Sequence, residues 1–256
     1  MTALSSLADA FAALDGTTWF VLALAAALGG LLRGLTGFGA ALAMAPLLSR
    51  VLPAHHTLAL VTVLCALPLG PTLSRRAIWT ADGALLRPML LAAMLGLPAG
   101  IWLVGLLPAQ AFRTLVGVSV IVSACVLLAG LRFPRRASRP ASFGVGLLSG
   151  VMTAFGGIGG PPAILYVLGV ERDPVRIRAN FIVYFACLYP LALVVLALLG
   201  VLSLPLLVLG LLLAPLFHAG CLLGAGLFGR MDKRLFRPLV LALLFSAGAL
   251  AAWPQA

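Results

Sequence analysis

The chain has 256 residues, 63% of them apolar and 9% charged, and its mean hydropathy is +1.19. These values exclude a soluble domain and describe a polytopic membrane protein. The net charge of +11, from 17 Lys+Arg against 6 Asp+Glu, suits arginines held in short cytoplasmic loops, and no basic face with interleaved aromatics points to nucleic acid.

A chain of this length holds roughly eight to ten membrane segments at about 20 residues per crossing. Residues 1–16 form a mildly polar lead-in with Asp9 and Asp15 and no basic start, unlike a cleaved signal peptide. Apolar runs then predict segments at 17–32, 38–52, 57–73, 84–107, 111–131, 142–155, 160–170, 179–200, 204–228 and 237–253. The pairs 17–32 with 38–52 and 142–155 with 160–170 are too short to cross singly. They read as helical hairpins, re-entrant or steeply tilted, that meet at glycine-rich tips. The four cysteines, Cys65, Cys125, Cys187 and Cys221, each stand alone in an apolar run and indicate neither disulfide nor metal.

The two tips repeat one pattern about 116 residues apart: Gly34-Leu-Thr-Gly-Phe-Gly-Ala-Ala-Leu-Ala-Met-Ala-Pro46 and Gly150-Val-Met-Thr-Ala-Phe-Gly-Gly-Ile-Gly-Gly-Pro-Pro162. Each breaks a helix at membrane depth. Such a break survives only where it is buried in protein or lines a polar cavity. A matched pair of breaks in two halves of one chain points to a transporter's substrate site.

Charge orients the segments. Arg75, Arg76 and Arg87 flank one loop, Arg132, Arg135, Arg136 and Arg139 fill the next, and Arg230, Lys233, Arg234 and Arg237 fill the last. With all three inside, 84–107 and 111–131 go out and return through the nearly uncharged turn Pro108-Ala-Gln110. The loop Glu171–Arg178 also falls inside. The first hairpin then opens outward and the second inward, and both termini lie outside. The predicted fold is an all-α polytopic membrane protein of two inverted-topology repeats, each a Gly-broken hairpin plus three transmembrane helices. The first repeat spans 17–131 and the second 141–256, joined by a basic cytoplasmic linker at 132–140. Glycines in Pro98–Gly105 and His218–Gly224, about 120 residues apart, extend the repeat and suit close helix packing.

Helix breaks also favour an anion. The second half of a broken helix begins with unpaired N–H groups and about half a positive charge from its dipole. Gly37, Phe38, Gly39 and Ala40 are therefore expected to face Gly156, Gly157, Gly159 and Gly160 across a cavity, with Thr36 and Thr153 donating from their hydroxyls. The competing explanation is that these glycines only let the hairpins pack. Arg33, beside the first tip, is a candidate ligand, because a cation at membrane depth costs roughly 3 kcal/mol or more unless paired or wet. Its alternative is to snorkel to the interface. Asn180 either orients a substrate oxygen or caps a helix start. His55 and His56 either titrate near neutral pH or sit idle at the outer interface, and His218 lies inside 204–228, where a hydrogen bond across helices is its functional reading.

All six acids, Asp9, Asp15, Asp82, Glu171, Asp173 and Asp232, lie at termini or in loops. A carboxylate proton relay within the membrane is therefore missing. Coupling is left to histidine, to a proton carried on the substrate, to uniport or to exchange. No phosphate-binding Walker loop, zinc-ligand cluster or Ser/His/Asp set is present, so the chain is not expected to be an enzyme and no cofactor is expected.

The Gly-x-x-Gly-x-Gly run ending in proline near the start of each half, the chain length and the Gly-rich fourth and ninth segments resemble the sulfite exporter TauE/SafE family of membrane permeases. The likeness runs over roughly residues 18–252, with Ala40-Ala41 standing where a fuller glycine run is common. It implies a multi-pass transporter in the inner membrane that moves sulfite, sulfoacetate or another organosulfonate. The expected partners are the small anion and the lipid bilayer, with self-association into a homo-oligomer left open. An anion channel, or a carrier of non-sulfur organic anions, is the alternative function.

Overall fold

The computed structural model describes residues 14–66, 75–129 and 137–230. Among these residues every regular element is a helix. The first hairpin pairs α1 (Gly16–Thr36) with α2 (Ala40–Val51), and α3 (Ala54–Ala66) follows. A short α4 (Arg75–Thr80) leads into α5 (Gly83–Gly105) and α6 (Ala109–Ala129). The second hairpin pairs α7 (Arg139–Thr153) with α8 (Gly160–Val170), followed by α9 (Pro174–Leu198) and α10 (Leu204–Arg230). The predicted segments up to 204–228 all meet a helix. The segment 237–253, the lead-in at 1–13 and most of the linker lie outside the described residues.

Among the described residues four helices are long and apolar enough to cross a membrane: Gly16–Thr36, Gly83–Gly105, Val175–Leu198 and Leu204–Leu227. The first corrects an expectation, since α1 has 21 residues where the apolar run 17–32 fell short of a crossing. The extra length comes from polar residues that hydropathy discounts. Asp15 caps the start by accepting from the Thr18 N–H at 3.0 Å, and the helix runs on through Arg33, Gly34 and Thr36. The arms α2, α7 and α8 keep 12, 15 and 11 residues, shorter than a straight crossing.

Leu91, Leu95 and Trp102 on α5 and Leu211, Leu212, Leu222 and Leu223 on α10 are exposed. Exposed apolar rows of this size are what a lipid-facing surface presents. Inside the bundle, cohesion rests on packing, because hydrocarbon gives helices no hydrophobic reason to associate.

Two helix pairs supply the closest packing, and both pair small residues four apart. On α1, a Cβ at Gly30 would fall on the Phe217 carbonyl and one at Gly34 on the Cys221 carbonyl; on α10, Gly220 and Gly224 abut the backbone of Ala27 and Leu31. On α5, Gly96 and Gly100 meet Leu147 and Val151; on α7, Gly146 and Gly150 meet Met89 and Ala93. In both pairs residue numbers rise together, so the helices run parallel. The first arm of each hairpin thus packs against a helix from the other half of the chain.

Substitution should separate packing glycines from idle ones. Gly34→Val and Gly100→Val force backbones apart and are expected to lower the melting temperature in detergent sharply or abolish the folded protein. Gly144→Ala and Gly226→Ala, whose added methyl groups would meet nothing within 4 Å, should be neutral or gain about 0.5–1 kcal/mol from helix propensity.

Candidate functional site

Each tip turns the chain with two glycines in the left-handed region: Gly37 (φ 81°) and Gly39 (φ 87°) in the first, Gly156 (φ 73°) and Gly157 (φ 81°) in the second. Any L side chain at these positions would be strained. The freed backbone groups are met within the protein. Gly37 N–H bonds the Arg33 carbonyl at 2.7 Å and Gly157 N–H the Thr153 carbonyl at 2.6 Å. Thr36 Oγ1 accepts from Phe38 N–H at 3.1 Å and lies against the Leu32 and Phe38 carbonyls, while Thr153 donates to the Ser149 carbonyl at 2.7 Å. Both threonine protons are thus engaged by nearby carbonyls, not offered to a cavity as expected.

The tips pass one another instead of meeting end to end. A Cβ at Gly156 would come within 2.8 Å of the Ala45 Cβ, and one at Gly157 within 3.2 Å of the Ala41 Cβ. The second tip therefore rests on α2, beyond the first tip. Gly37 faces Arg178 Cγ and Ile182 at the start of α9, and the Phe38 ring packs on Phe181 with centroids 5.0 Å apart.

The α2 start keeps the N–H groups of Ala40, Ala41 and Leu42 clear of intrahelical bonds, as any first turn does. At the α8 start, Pro161 and Pro162 occupy the first turn after Gly160. Proline has no N–H, so this terminus offers fewer donors to an anion than its glycines imply.

Arg33 is 5% exposed, so it does not snorkel. Its Nη1 donates to the Cys65 carbonyl of α3 at 2.7 Å, and the guanidinium lies 5.9 Å from the Tyr189 ring centroid on α9. Among the described residues the one salt bridge is Arg176–Glu171 at 3.4 Å, at the exposed start of α9. There the Asp173 and Arg172 N–H groups and Arg176 hold the Glu171 carboxyl below its usual range. Arg33 thus carries its charge among apolar and neutral polar groups, with no carboxylate of the described residues paired to it.

Tyr189 joins Arg33 to the second tip, since its hydroxyl donates to the Gly157 carbonyl at 3.3 Å. Tyr184, on the same helix, donates to Ser149 Oγ at 2.8 Å, and Ser149 in turn bonds the Gly159 carbonyl. Gly159 has no room for a side chain, because a Cβ there would fall on Thr153 Oγ1. Gly160 lies nearby, with Phe185 closing over it. Sequence reasoning missed Ser149, Tyr184 and Tyr189. One signal for Ser149 was available: it fills in Gly146-Leu-Leu-Ser-Gly150 the place that Arg33 fills in Gly30-Leu-Leu-Arg-Gly34.

Asn180 stands apart from this cluster. It does not cap α9, which Asp173 does by accepting from Val175 N–H at 3.0 Å. Its Oδ1 accepts from the Asp82 N–H at 2.7 Å, which fixes the amide's orientation. The Nδ2 is buried and has no hydrogen-bond partner among the described residues. His55 Nδ1 is buried in the same state, and His218 is partly buried on α10. Cys65 and Cys221 are buried free thiols.

Apolar crossings, arms broken by left-handed glycines and a buried arginine define a polytopic helical membrane protein. The chain matches the family model described as Sulfite exporter TauE/SafE over residues 22–251, and it belongs to that family of membrane transporters. Comparison with curated proteins and with solved structures finds no significant match.

The tyrosine–serine bonds lead to a measurable order of effects. Ser149→Ala removes the link to Gly159 and strands Tyr184, with an expected loss of about 1–2 kcal/mol, whereas Tyr184→Phe removes one bond and should cost about 0.5–1 kcal/mol. Melting of the double variant should be no lower than that of Ser149→Ala alone.

Proposed function

We propose that this protein is a secondary transporter, not an enzyme, that carries a small anion, sulfite or an organosulfonate, across the inner membrane by alternating access. Arg33 carries this reading. A cation buried among crossing helices with no carboxylate of the described residues beside it is a standing cost, and a desolvated oxyanion offsets that cost while gaining charge-assisted hydrogen bonds. The substrate therefore binds at the crossing of the two halves, with Arg33 supplying charge from the first half. The backbone of residues 156–160 and the Tyr189 hydroxyl supply neutral contacts from the second. Gly37, Phe38 and Gly39 with Asn180 line the approach on the α9 side.

Two inverted repeats, each a hairpin plus three crossings, account for the way the hairpins exchange partners. Each hairpin's first arm, α1 or α7, packs in parallel on the other half's helix, α10 or α5, through glycines four apart. Related halves that pack reciprocally around one site can rock between two equivalent arrangements, one open to each side.

Flux in proteoliposomes tests the ligand role. Arg33→Ala should weaken sulfite uptake about 10- to 100-fold, the worth of a lost hydrogen bond to a charged group, and Arg33→Lys should retain part of it. Unchanged flux from a well-inserted Arg33→Ala protein sinks the proposal. Wild-type flux should saturate and be stimulated by unlabelled substrate on the far side, while flux linear in concentration would mean a channel.

Orientation has its own test, in a background lacking the four native cysteines. Gln110→Cys and Ser203→Cys should react with an impermeant thiol reagent from outside the cell. Ser138→Cys should react only after permeabilisation, and labelling of all three from one side would overturn the inverted arrangement.

A further inference from the structure

The parallel pair α5 and α7 brings two helix starts side by side at one face of the bundle. Between them lies a cavity of about 420 Å³ lined by Gly83, Ala84, Arg87, Pro88, Leu91 and Arg139. We propose that this cavity binds the phosphate-bearing headgroup of an anionic membrane lipid, at a site separate from the transport path.

Three features specify that occupant. Arg87 and Arg139 are exposed and make no hydrogen bond or ion pair among the described residues. The neighbouring Asp82 carboxylate is held by the Ala84 and Leu85 N–H groups at 2.9 and 3.2 Å, which leaves the two guanidinium groups to meet a ligand. Below the arginines the lining turns apolar at Pro88 and Leu91. Leu91 is 61% exposed, and Leu95, one turn further, is 64% exposed. A basic rim above a lipid-facing apolar foot fits a headgroup with its acyl chains attached, whereas a soluble anion gains nothing from the foot. Exposed Trp79 on adjacent α4 places this end at the membrane interface, where such side chains gather. Basic pockets between helices at that level are suited to anionic headgroups. Gly83 keeps the cavity open, since a Cβ there would have only Arg87 Nε, 3.8 Å away, for a neighbour.

The full chain, reconstituted in phosphatidylcholine vesicles with phosphatidylglycerol as the minor component, is extracted and its bound lipid counted by native mass spectrometry. The wild type should retain phosphatidylglycerol. Each arginine replaced by alanine should cost about fivefold in retention, so the Arg87→Ala/Arg139→Ala protein loses nearly all of it while melting unchanged in phosphatidylcholine alone. Gly83→Leu, which places a bulky side chain in the cavity without altering charge, should also displace the lipid. Arg172→Ala, an exposed arginine outside the cavity, should retain it.

Retention in the double variant or in Gly83→Leu within twofold of the wild type overturns the proposal. So does an equal loss from Arg172→Ala, which would mean diffuse surface charge. A melting shift from inorganic phosphate or glycerol phosphate in phosphatidylcholine as large as that from phosphatidylglycerol would make the ligand a soluble anion instead.

Discussion

A backbone broken inside hydrocarbon has no water to bond, and most of this structure answers that constraint. At the first tip the answer is local: Gly37 returns to the Arg33 carbonyl and Thr36 bonds Phe38. At the second the local bond from Gly157 to the Thr153 carbonyl is joined by tertiary help, because Ser149 on the hairpin's own arm α7 and Tyr189 on α9 reach the Gly159 and Gly157 carbonyls. The polar residues near the breaks therefore have structural employment before any substrate arrives. Arg33 differs from them, since its one described hydrogen bond, to a carbonyl, does nothing to neutralise its charge.

The same constraint explains why close packing concentrates where it does. Short arms such as α2, α7 and α8 cannot span the bilayer alone, so each hairpin must be held by crossings that can. Glycines four apart bring α1 onto α10 and α5 onto α7 at backbone contact, where dispersion and weak C–H contacts replace the hydrophobic effect as the cohesive force. A hairpin gripped by the opposite half of the chain couples the halves near the tips.

Much of this was legible in advance. Hydropathy located nine of the described helices because a membrane helix must be apolar along its whole length, and that requirement leaves a long, unambiguous signal. It placed the end of α1 too early, since Arg33 and Thr36 read as a boundary when their burial inside protein lets the helix continue. The short α4, Arg75–Thr80, left no periodic trace at six residues. The glycine clusters were visible as breaks, but their division of labour was not: left-handed turns at 37, 39, 156 and 157 are set by local dihedrals, whereas the packing glycines at 30, 34, 146 and 150 acquire their role only from a partner helix.

The sequence by itself determined the class, the helices, the two breaks and the family to which the chain belongs, because composition, run length and glycine spacing are local properties. Only the tertiary structure decided that Arg33 is buried with no carboxylate of the described residues beside it, that the tips overlap instead of facing each other, and that Tyr184 and Tyr189 join the second tip. Those facts depend on which helices lie side by side, and a tyrosine on an apolar helix looks the same in sequence whether it faces lipid or a broken backbone.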